Sequence, residues 1–498
     1  MTALTTVAAL EATRVGRAQR LTTVRHHHVD DHPFVLVPLT LAGEACAPLA
    51  ALAGTDRDRP VLLAVHQPRD RAERFAFVDR LAALLLPYLD ACRAETETYP
   101  AGRGKEERVR ATRAPQILVP NPGGIRYVRL LGRSTRLRAT SGPHAVPAAV
   151  PTLGKWLTWL ADQAEFPGSG MLLSMTAALT AHWATGQSSV LDGHLGSLLA
   201  WIDPPPGQTG AEAALAAEDP AVCPPAGPAT DPVFDGRTLQ DLMARHDEAP
   251  PGPARALAAR RIDTELRGQL APTWDLMWRG VGLLRALPPG AHVADRRTLD
   301  RTLFTGYATH LDEDGRPQAR RDHAVSAARR LARLEEAQAL YDAQRAYDDP
   351  LAMAEYELTG EAFTGTVTDR DLERRVPGPS RSLWRPTVTL RTADRPRLPV
   401  GTRVTSPRRP GQETRIIEIR PAADGTYDTV LQIDKGFGRK PPAPPGVLPG
   451  LGEELTYTTL SLRVLRAPLP DDADTPWTHG GPPQPYDPTE QDAEEMWE

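Results

Sequence analysis

The spacing of apolar residues changes along this chain, and that change restricts the possible folds more than any other feature of the sequence. Short aliphatic runs of strand length come first, followed by long stretches in which apolar residues recur at three- and four-residue steps. After Arg381, apolar and polar residues alternate, which is typical of half-buried strands. Successive regions of this kind predict an α+β multidomain protein.

The first 150 residues combine strand and helix patterns. Residues 34–37 and 61–65 are aliphatic runs bounded by prolines, and residues 69–92 have helical spacing. Residues 116–119 and 125–131 flank a segment rich in proline and glycine, which predicts a hairpin-like turn between two strands. We therefore expect an N-terminal mixed α/β region, residues 1–150, in which at least one helix covers a sheet.

The middle of the chain has mostly helical spacing and predicts a central helical bundle. Residues 151–203 form one helical subdomain in this interpretation, with a helix over residues 169–185 that has Ser169 as its N-cap. Residues 236–380 form a second helical domain, which includes a long helix over residues 254–287. The proline-rich residues 204–235 between them predict a linker.

The C-terminal part of the chain predicts a small antiparallel β-barrel of SH3-like or OB-like type over residues 381–466. Turn residues such as Asp424-Gly425 separate its alternating segments. The five segments are residues 387–391, 400–406, 412–420, 426–434 and 454–460. Residues 467–498 are rich in proline and acidic side chains, and we expect a disordered acidic tail there.

Cysteine content and targeting signals predict the cellular compartment. Cys46, Cys92 and Cys223 form no CxxC pair, so neither a disulfide framework nor a zinc ribbon is encoded. The N-terminal residues lack the positively charged start of a secretory signal. The densest apolar run, residues 81–89, is about half of the ~20 residues that a bilayer requires. We expect a cytoplasmic protein without a membrane segment.

A histidine-rich stretch is the strongest enzyme-like feature. His26, His28 and Asp30 fit the His-x-His-x-Asp-His pattern of metallo-β-lactamase-like hydrolases, but the last histidine is displaced by one residue, to His32. An inserted residue turns a side chain away from the metal-facing side of a loop. Gly154-Lys155 lacks the flanking residues of a phosphate-binding loop, and no nucleophile elbow occurs. We predict no catalytic residue, metal ligand or cofactor.

Basic residues are concentrated in two segments, although the net charge is −5. Residues 103–138 contain ten basic and two acidic side chains, and residues 374–415 contain eleven arginines and two acidic side chains. Guanidinium groups bind phosphates in bidentate geometry and release counterions from nucleic acid. The candidate nucleic-acid-binding residues are Arg133, Arg136, Arg138, Arg403, Arg408, Arg409 and Arg415.

The same arginines also admit a structural interpretation. Runs of charge are usually solvated faces or form salt bridges between domains. Arg126 and Arg129 would point to opposite faces of the predicted strand, so they could not both line one groove. Sequence alone leaves both interpretations open.

The acidic end of the chain is a candidate partner-binding segment. Residues 471–498 contain nine acidic side chains and neither lysine nor arginine. Trp477, Tyr486 and Trp497 are spaced through this segment and are the candidate partner-binding residues. The pattern is typical of a partner-docking segment, of a phosphate mimic that folds back onto the basic segments, or of a solubilising terminus.

These patterns together favour a non-enzymatic accessory or scaffold protein. It contacts DNA or RNA through its arginine-rich segments and its barrel, and it recruits a separate protein partner through the tail. One alternative is a metal-dependent hydrolase built on residues 26–32. Another is a purely structural protein–protein interaction module, which predicts no salt-dependent affinity for DNA or RNA.

Overall fold

The computed structural model describes residues 2–41, 47–100, 106–225, 227, 230–313, 315–320, 324–378, 382–438, 441–463 and 469–471. Two compact units emerge, one built mainly from Thr5–Leu334 and the other from Glu335–Pro468. The first unit combines helices with a mixed sheet, and the second contains a closed antiparallel barrel. The α+β multidomain class is therefore confirmed, while the predicted disordered tail lies outside the described residues beyond Asp471.

One mixed sheet organises the first unit. The strands are β1 (Gln19–Arg20), β2 (Phe34–Thr40), β3 (Pro48–Gly54), β4 (Val61–Ala64), β5 (Thr96–Pro100), β6 (Glu107–Ala111), β7 (Ile117–Val119), β8 (Leu172–Ser174) and β9 (Trp183–Ala184). The sheet has the order β4-β3-β2-β7-β8. Its strands β2, β7 and β8 are parallel, whereas β3 is antiparallel to both of its neighbours. The pairs β1–β9 and β5–β6 form separate two-stranded ribbons.

Helices cover both faces of this sheet. The helices of the chain are α1 (Ala3–Val15), α2 (Arg71–Arg93), α3 (Pro122–Thr135), α4 (Ala149–Gln163), α5 (Met175–Thr180), α6 (Leu195–Ile202), α7 (Gly210–Ala217), α8 (Pro232–Phe234), α9 (Gln240–Glu248), α10 (Pro253–Arg285), α11 (Val293–Glu313), α12 (Ala324–Asp348) and α13 (Pro350–Thr359). The helices predicted over residues 69–92 and 254–287 are confirmed as α2 and α10. Within the described residues, no helix has both the length and the apolar character needed to cross a bilayer.

Side chains of β2 alternate between two hydrophobic cores. Phe34 and Leu36 pack with residues of α2, α3, α4 and α11, whereas Val35, Val37 and Leu39 pack with residues of α5, α6 and α10. Every residue of β2 is consequently buried. A strand that is covered on both faces needs no polar alternation, which explains its unbroken aliphatic run.

The predicted hairpin-like turn after residues 116–119 is wrong. The strand β7 ends at Val119, and Pro122 begins helix α3. Asn121 Oδ1 accepts a hydrogen bond from the Gly124 N–H and caps the helix, while Pro122 occupies its first turn. Asparagine, proline and glycine favour helix starts as well as turns, so composition did not distinguish the two outcomes.

The predicted helix over residues 169–185 is also wrong. Its first part contains the short strand β8, and the helix α5 that follows covers only Met175–Thr180. The N-cap is Ser174, whose Oγ accepts from the Ala177 N–H at 3.2 Å. Ser169 instead donates to Asp300 Oδ1 at 3.1 Å. A short apolar run that is buried on both faces has no diagnostic period.

The second unit is organised by the closed barrel, whose strand order is β10-β13-β16-β15-β14-β17. The strands of the second unit are β10 (Ala362–Asp371), β11 (Arg375–Val376), β12 (Leu383–Trp384), β13 (Thr387–Thr392), β14 (Arg403–Ser406), β15 (Arg409–Pro421), β16 (Tyr427–Lys435) and β17 (Glu454–Thr458). The strands β11 and β12 pair with each other in a two-stranded ribbon that is separate from the barrel.

The five strands predicted for the barrel correspond to β13–β17, and the antiparallel barrel is confirmed. The sequence did not predict β10, which closes the barrel by pairing with both β13 and β17. Phe363 and Val367 of β10 enter the barrel core, with Gly365 between them. Two core side chains interrupted by a glycine give too short an alternation to recognise.

Candidate nucleic-acid interface

The histidine-rich stretch packs around arginines. The carboxylate of Asp30 lies 2.8 Å from Arg297 Nη2 and 3.0 Å from Arg113 Nη2. His26 is buried, and its backbone N–H donates to His182 Nε2 at 3.0 Å. Within the described residues, which include the whole of this stretch, no group of three or more side chains is arranged to hold a metal ion. The guanidiniums of Arg297 and Arg113 each pair with one carboxylate oxygen of Asp30. The geometry therefore does not favour the metal-dependent hydrolase.

The three candidate arginines near the end of α3 have different environments. The Arg136 guanidinium is buried and donates to the carbonyl oxygens of Gln318 at 2.9 Å and Ala319 at 3.0 Å. The guanidinium of Arg138 lies over the Phe75 ring, 5.7 Å from its centroid, and donates to a backbone carbonyl. Of the three, Arg133 is the exposed one. Arg136 and Arg138 therefore stabilise the fold around α3.

Two further arginines of α3 correct a sequence-based expectation. Arg126 and Arg129 lie on a helix, where residues three apart share a face, so they do not point in opposite directions. Arg129 Nη2 pairs with Glu165 at 2.5 Å, whereas Arg126 is exposed. The correction follows directly from the helical state of α3.

Arg408 lies in the turn between β14 and β15, whereas Arg409 is the first residue of β15, and their side chains have different environments. Arg409 Nη1 and Nη2 contact the two carboxylate oxygens of Glu453 at 2.7 and 2.9 Å, and its side chain is only 14% exposed. These hydrogen bonds lower the pKa of Glu453 below its ordinary value, and the nearby charge of Arg408 adds to the effect. Arg408 itself is exposed. The turn therefore offers one accessible guanidinium beside a closed ion pair.

Arg403 and Arg415 come together on the outer face of the barrel. They are direct cross-strand partners on β14 and β15. Their neighbours Val404, Thr414 and Ile416 are buried in the barrel, which places both arginines on the opposite, solvent-facing side. Directly opposite residues on paired strands have adjacent side chains. Two candidate residues that are far apart in sequence are thus neighbours in the structure.

Two arginines that the sequence did not single out extend this pair. Asp434 Oδ2 accepts from Arg415 Nη2 at 2.9 Å, and its other oxygen lies 3.5 Å from Arg385 Nε. Gln432 connects the fourth arginine, because its Oε1 accepts from Arg374 Nη1 at 2.7 Å while its Nε2 donates to Asp434 at 2.8 Å. We call these four residues the arginine cluster: Arg374, Arg385, Arg403 and Arg415.

The arginine cluster has more positive than negative charge. Asp434 is the carboxylate that Arg385 and Arg415 share, and Arg374 contacts a neutral amide. Arg403 has no carboxylate partner within the described residues. Like charges directly opposite each other on paired strands destabilise a sheet, and each guanidinium has more N–H donors than these contacts use. A bound anion would relieve the repulsion.

Arg374 and Arg385 were missed although both lie in the arginine-rich segment 374–415. They reach the cluster from residues beside the two-residue strands β11 and β12. Strands of that length have no periodicity to recognise. The charge density of the segment was the only available signal, and it did not say which arginines meet.

The three candidate partner-binding residues, Trp477, Tyr486 and Trp497, lie outside the described residues. No protein-family model, curated protein or solved structure matches this chain. A functional proposal therefore depends on the geometry of the described sites.

Proposed function

We propose that this protein binds nucleic acid through the outer face of its barrel and acts as a non-enzymatic accessory or scaffold protein with a separate partner. The observation that carries the proposal is the arginine cluster, in which Arg385 and Arg415 share the carboxylate of Asp434, Arg374 contacts Gln432, and Arg403 stands opposite Arg415. Guanidinium groups match phosphate oxygens in geometry and charge. A phosphodiester backbone is the extended anion that fits a row of such groups.

The outer face supports contacts to phosphates more than contacts to bases. Trp384 is close in sequence to the cluster, but it is buried against Phe437, with ring centroids 4.9 Å apart. Its Nε1–H donates to the Leu372 carbonyl oxygen. Proteins that bind single strands usually stack bases on exposed aromatic rings. We therefore expect binding that depends strongly on salt and weakly on nucleotide sequence.

Not all of the candidate arginines belong to the proposed interface. The guanidiniums of Arg136, Arg138 and Arg409 are engaged by carbonyl oxygens, an aromatic ring or Glu453. We assign the interface to Arg403 and Arg415, together with Arg374 and Arg385. Arg408 and Arg133 are exposed but are not members of the arginine cluster, so we include neither in the interface.

Fluorescence anisotropy with single- and double-stranded DNA and RNA at several salt concentrations tests the proposal. In a plot of log affinity against log salt concentration, each phosphate contact should contribute about −0.7 to −0.9 to the slope. Arg403→Ala should weaken binding and make this slope less steep by about the contribution of one phosphate contact. Arg395→Ala is the matched control, because it removes an exposed arginine from the same barrel outside the cluster.

Two results would contradict the proposal. Salt-independent or undetectable binding of every nucleic acid would favour the purely structural interaction module. Equal losses of affinity in Arg403→Ala and Arg395→Ala would mean that general positive charge, and not the arginine cluster, holds the ligand.

A further inference from the structure

A concave pocket of about 480 Å³ opens on the barrel beside the arginine cluster. It is lined by residues of β14 and β15 and by the segment that follows β17. Arg403 lines the pocket and also belongs to the cluster, so the two sites are continuous.

The charged side chains of this pocket have a surplus of two positive charges. Arg403, Lys435 and Arg463 line it, and among the described lining residues Glu413 is the one carboxylate. Lys435 Nζ pairs with Glu413 at 2.9 Å, but the lysine is 70% exposed and such surface pairs are weak. Arg403 and Arg463 are both exposed and have no carboxylate partner within the described residues.

A phosphomonoester has the charge that fits this pocket. Above its second pKa of about 6 it has close to two negative charges and three acceptor oxygens, whereas each internal phosphodiester has a single charge. The surplus of two charges therefore matches a terminal phosphate better than an internal one.

We infer that this pocket binds the terminal phosphate of a nucleic-acid strand whose backbone lies on the arginine cluster. The inference rests on the proposed function, since Arg403 serves both sites. The protein would then recognise phosphorylated strand ends, with the pocket at one end of the arginine cluster.

Oligonucleotides of one sequence with a 5′-phosphate, a 3′-phosphate or only hydroxyl ends test the inference by anisotropy. The intact protein should bind one of the phosphorylated oligonucleotides about tenfold more tightly than the hydroxyl-ended one. Arg463→Ala should remove most of this preference while the hydroxyl-ended strand still binds. Arg395→Ala again serves as the control and should keep the preference.

Glu413→Gln gives a result that a folding defect could not imitate. The substitution removes the one carboxylate of the described lining and so should increase the preference for the phosphorylated end. The preference of the intact protein should also fall as the pH drops below about 6, because the phosphomonoester then becomes a monoanion.

Adenosine monophosphate and inorganic phosphate, titrated separately by calorimetry, distinguish a strand end from a free phosphomonoester. Weak binding of both, with tight binding of the phosphorylated oligonucleotide, supports the strand-end assignment. Equal affinity for all oligonucleotide ends overturns the inference but leaves the proposed function intact. Binding of adenosine monophosphate without binding of any oligonucleotide overturns the proposed function and the strand-end assignment. If none of these ligands binds, both nucleic-acid binding and phosphate binding by the barrel are overturned.

Discussion

Arginine side chains in this protein fall into two groups that residue type alone does not separate. Arg136 and Arg409 are sheltered and bonded to protein acceptors, and both contribute to the fold. Arg403 is exposed and stands opposite another arginine, which leaves its donors available. A buried guanidinium must be satisfied by protein groups, whereas an exposed one can exchange water for a ligand.

Replacing Arg409 with alanine should destabilise the barrel by about 2 kcal/mol, somewhat less than the ~3–5 kcal/mol lost when a fully buried ion pair is broken. The change leaves Glu453, which is 25% exposed, without its bidentate partner. Because the folded-state pKa of Glu453 is lowered, the stabilisation is present at neutral pH and is lost as pH falls through that pKa. Thermal unfolding followed by circular dichroism measures the effect.

The exposed neighbour provides the control for this prediction. Arg408→Ala should leave the melting temperature almost unchanged, since surface substitutions usually alter stability by less than about 0.5 kcal/mol. Equal melting temperatures for the two variants would show that the Arg409–Glu453 pair does not stabilise the barrel.

Asp300 should make the first unit less stable as pH rises. It lies on α11, is 3% exposed, and accepts a hydrogen bond from the Gly170 N–H at 2.9 Å. Burial raises its pKa to about 6, although this hydrogen bond and the charge of Arg297 oppose the shift. Since the folded-state pKa exceeds the unfolded value, ionisation on going from pH 5 to pH 7 opposes folding by an amount on the order of 1 kcal/mol.

Asp300→Asn tests this linkage by denaturant unfolding at the two pH values. The wild-type protein should lose stability relative to the variant as pH rises. Asp295→Asn, at an exposed position of the same helix, should show no such pH-dependent difference. A wild-type protein that gained stability relative to Asp300→Asn would mean that the carboxylate ionises easily in the folded state.

At the scale of elements, two glycines bring α3 and α4 into backbone contact. A Cβ at Gly154 would lie 2.4 Å from the Arg136 backbone nitrogen, and a Cβ at Gly132 would lie 2.6 Å from that of Thr158. Gly154 precedes Lys155 in the pair that lacks the flanking residues of a phosphate-binding loop. In the structure, Lys155 Nζ donates to the Gly315 carbonyl oxygen, and the glycine serves helix packing.

Gly154→Ala should destabilise the first unit by about 1–3 kcal/mol or more, because the added methyl group overpacks the contact between the helices. Gly268→Ala in α10 is the matched control, since a Cβ there meets no atom within 4 Å among the described residues. It should stabilise its helix by up to about 1 kcal/mol. If both variants melted at the same temperature, close approach of α3 and α4 would not matter for stability.

At the scale of the whole molecule, the acidic C-terminal segment is a potential competitor of nucleic acid. Residues 471–498 have nine acidic side chains and neither lysine nor arginine. Pro470, the residue before this segment, accepts a hydrogen bond at its carbonyl oxygen from Arg329 Nη2 of α12 at 3.3 Å. Acidic tails can occupy basic surfaces as phosphate mimics, and exposed charges compete most effectively at low salt.

Deleting residues 471–498 should tighten nucleic-acid binding severalfold at low salt and have little effect at high salt. Anisotropy with the intact and the shortened chain measures the change. A full-length variant in which amides replace the nine carboxylates should behave like the shortened chain. If neither change altered the affinity, the tail would not compete, and partner docking through Trp477, Tyr486 and Trp497 would be its favoured role.

Local patterns predicted the elements whose residues repeat regularly over several turns or strand positions. The helices α2 and α10 and the strands β13–β17 follow directly from the spacing of their apolar residues. The same method failed at α3, because proline and glycine at its start favour turns as well as helix starts, and at β8, because a three-residue strand has no recognisable period. Two of the four arginines of the candidate interface, Arg403 and Arg415, were identified from charge density.

The sequence by itself determined the regular elements α2, α10 and β13–β17 and where positive charge is concentrated, because these properties depend on residues close together in the chain. Tertiary structure alone decided which of those charges meet. Arg374, Arg385 and Arg415 converge near Asp434 through strand order and register, and Arg409 is removed from the surface by Glu453. Such pairings depend on contacts between distant segments, and no local spacing encodes them.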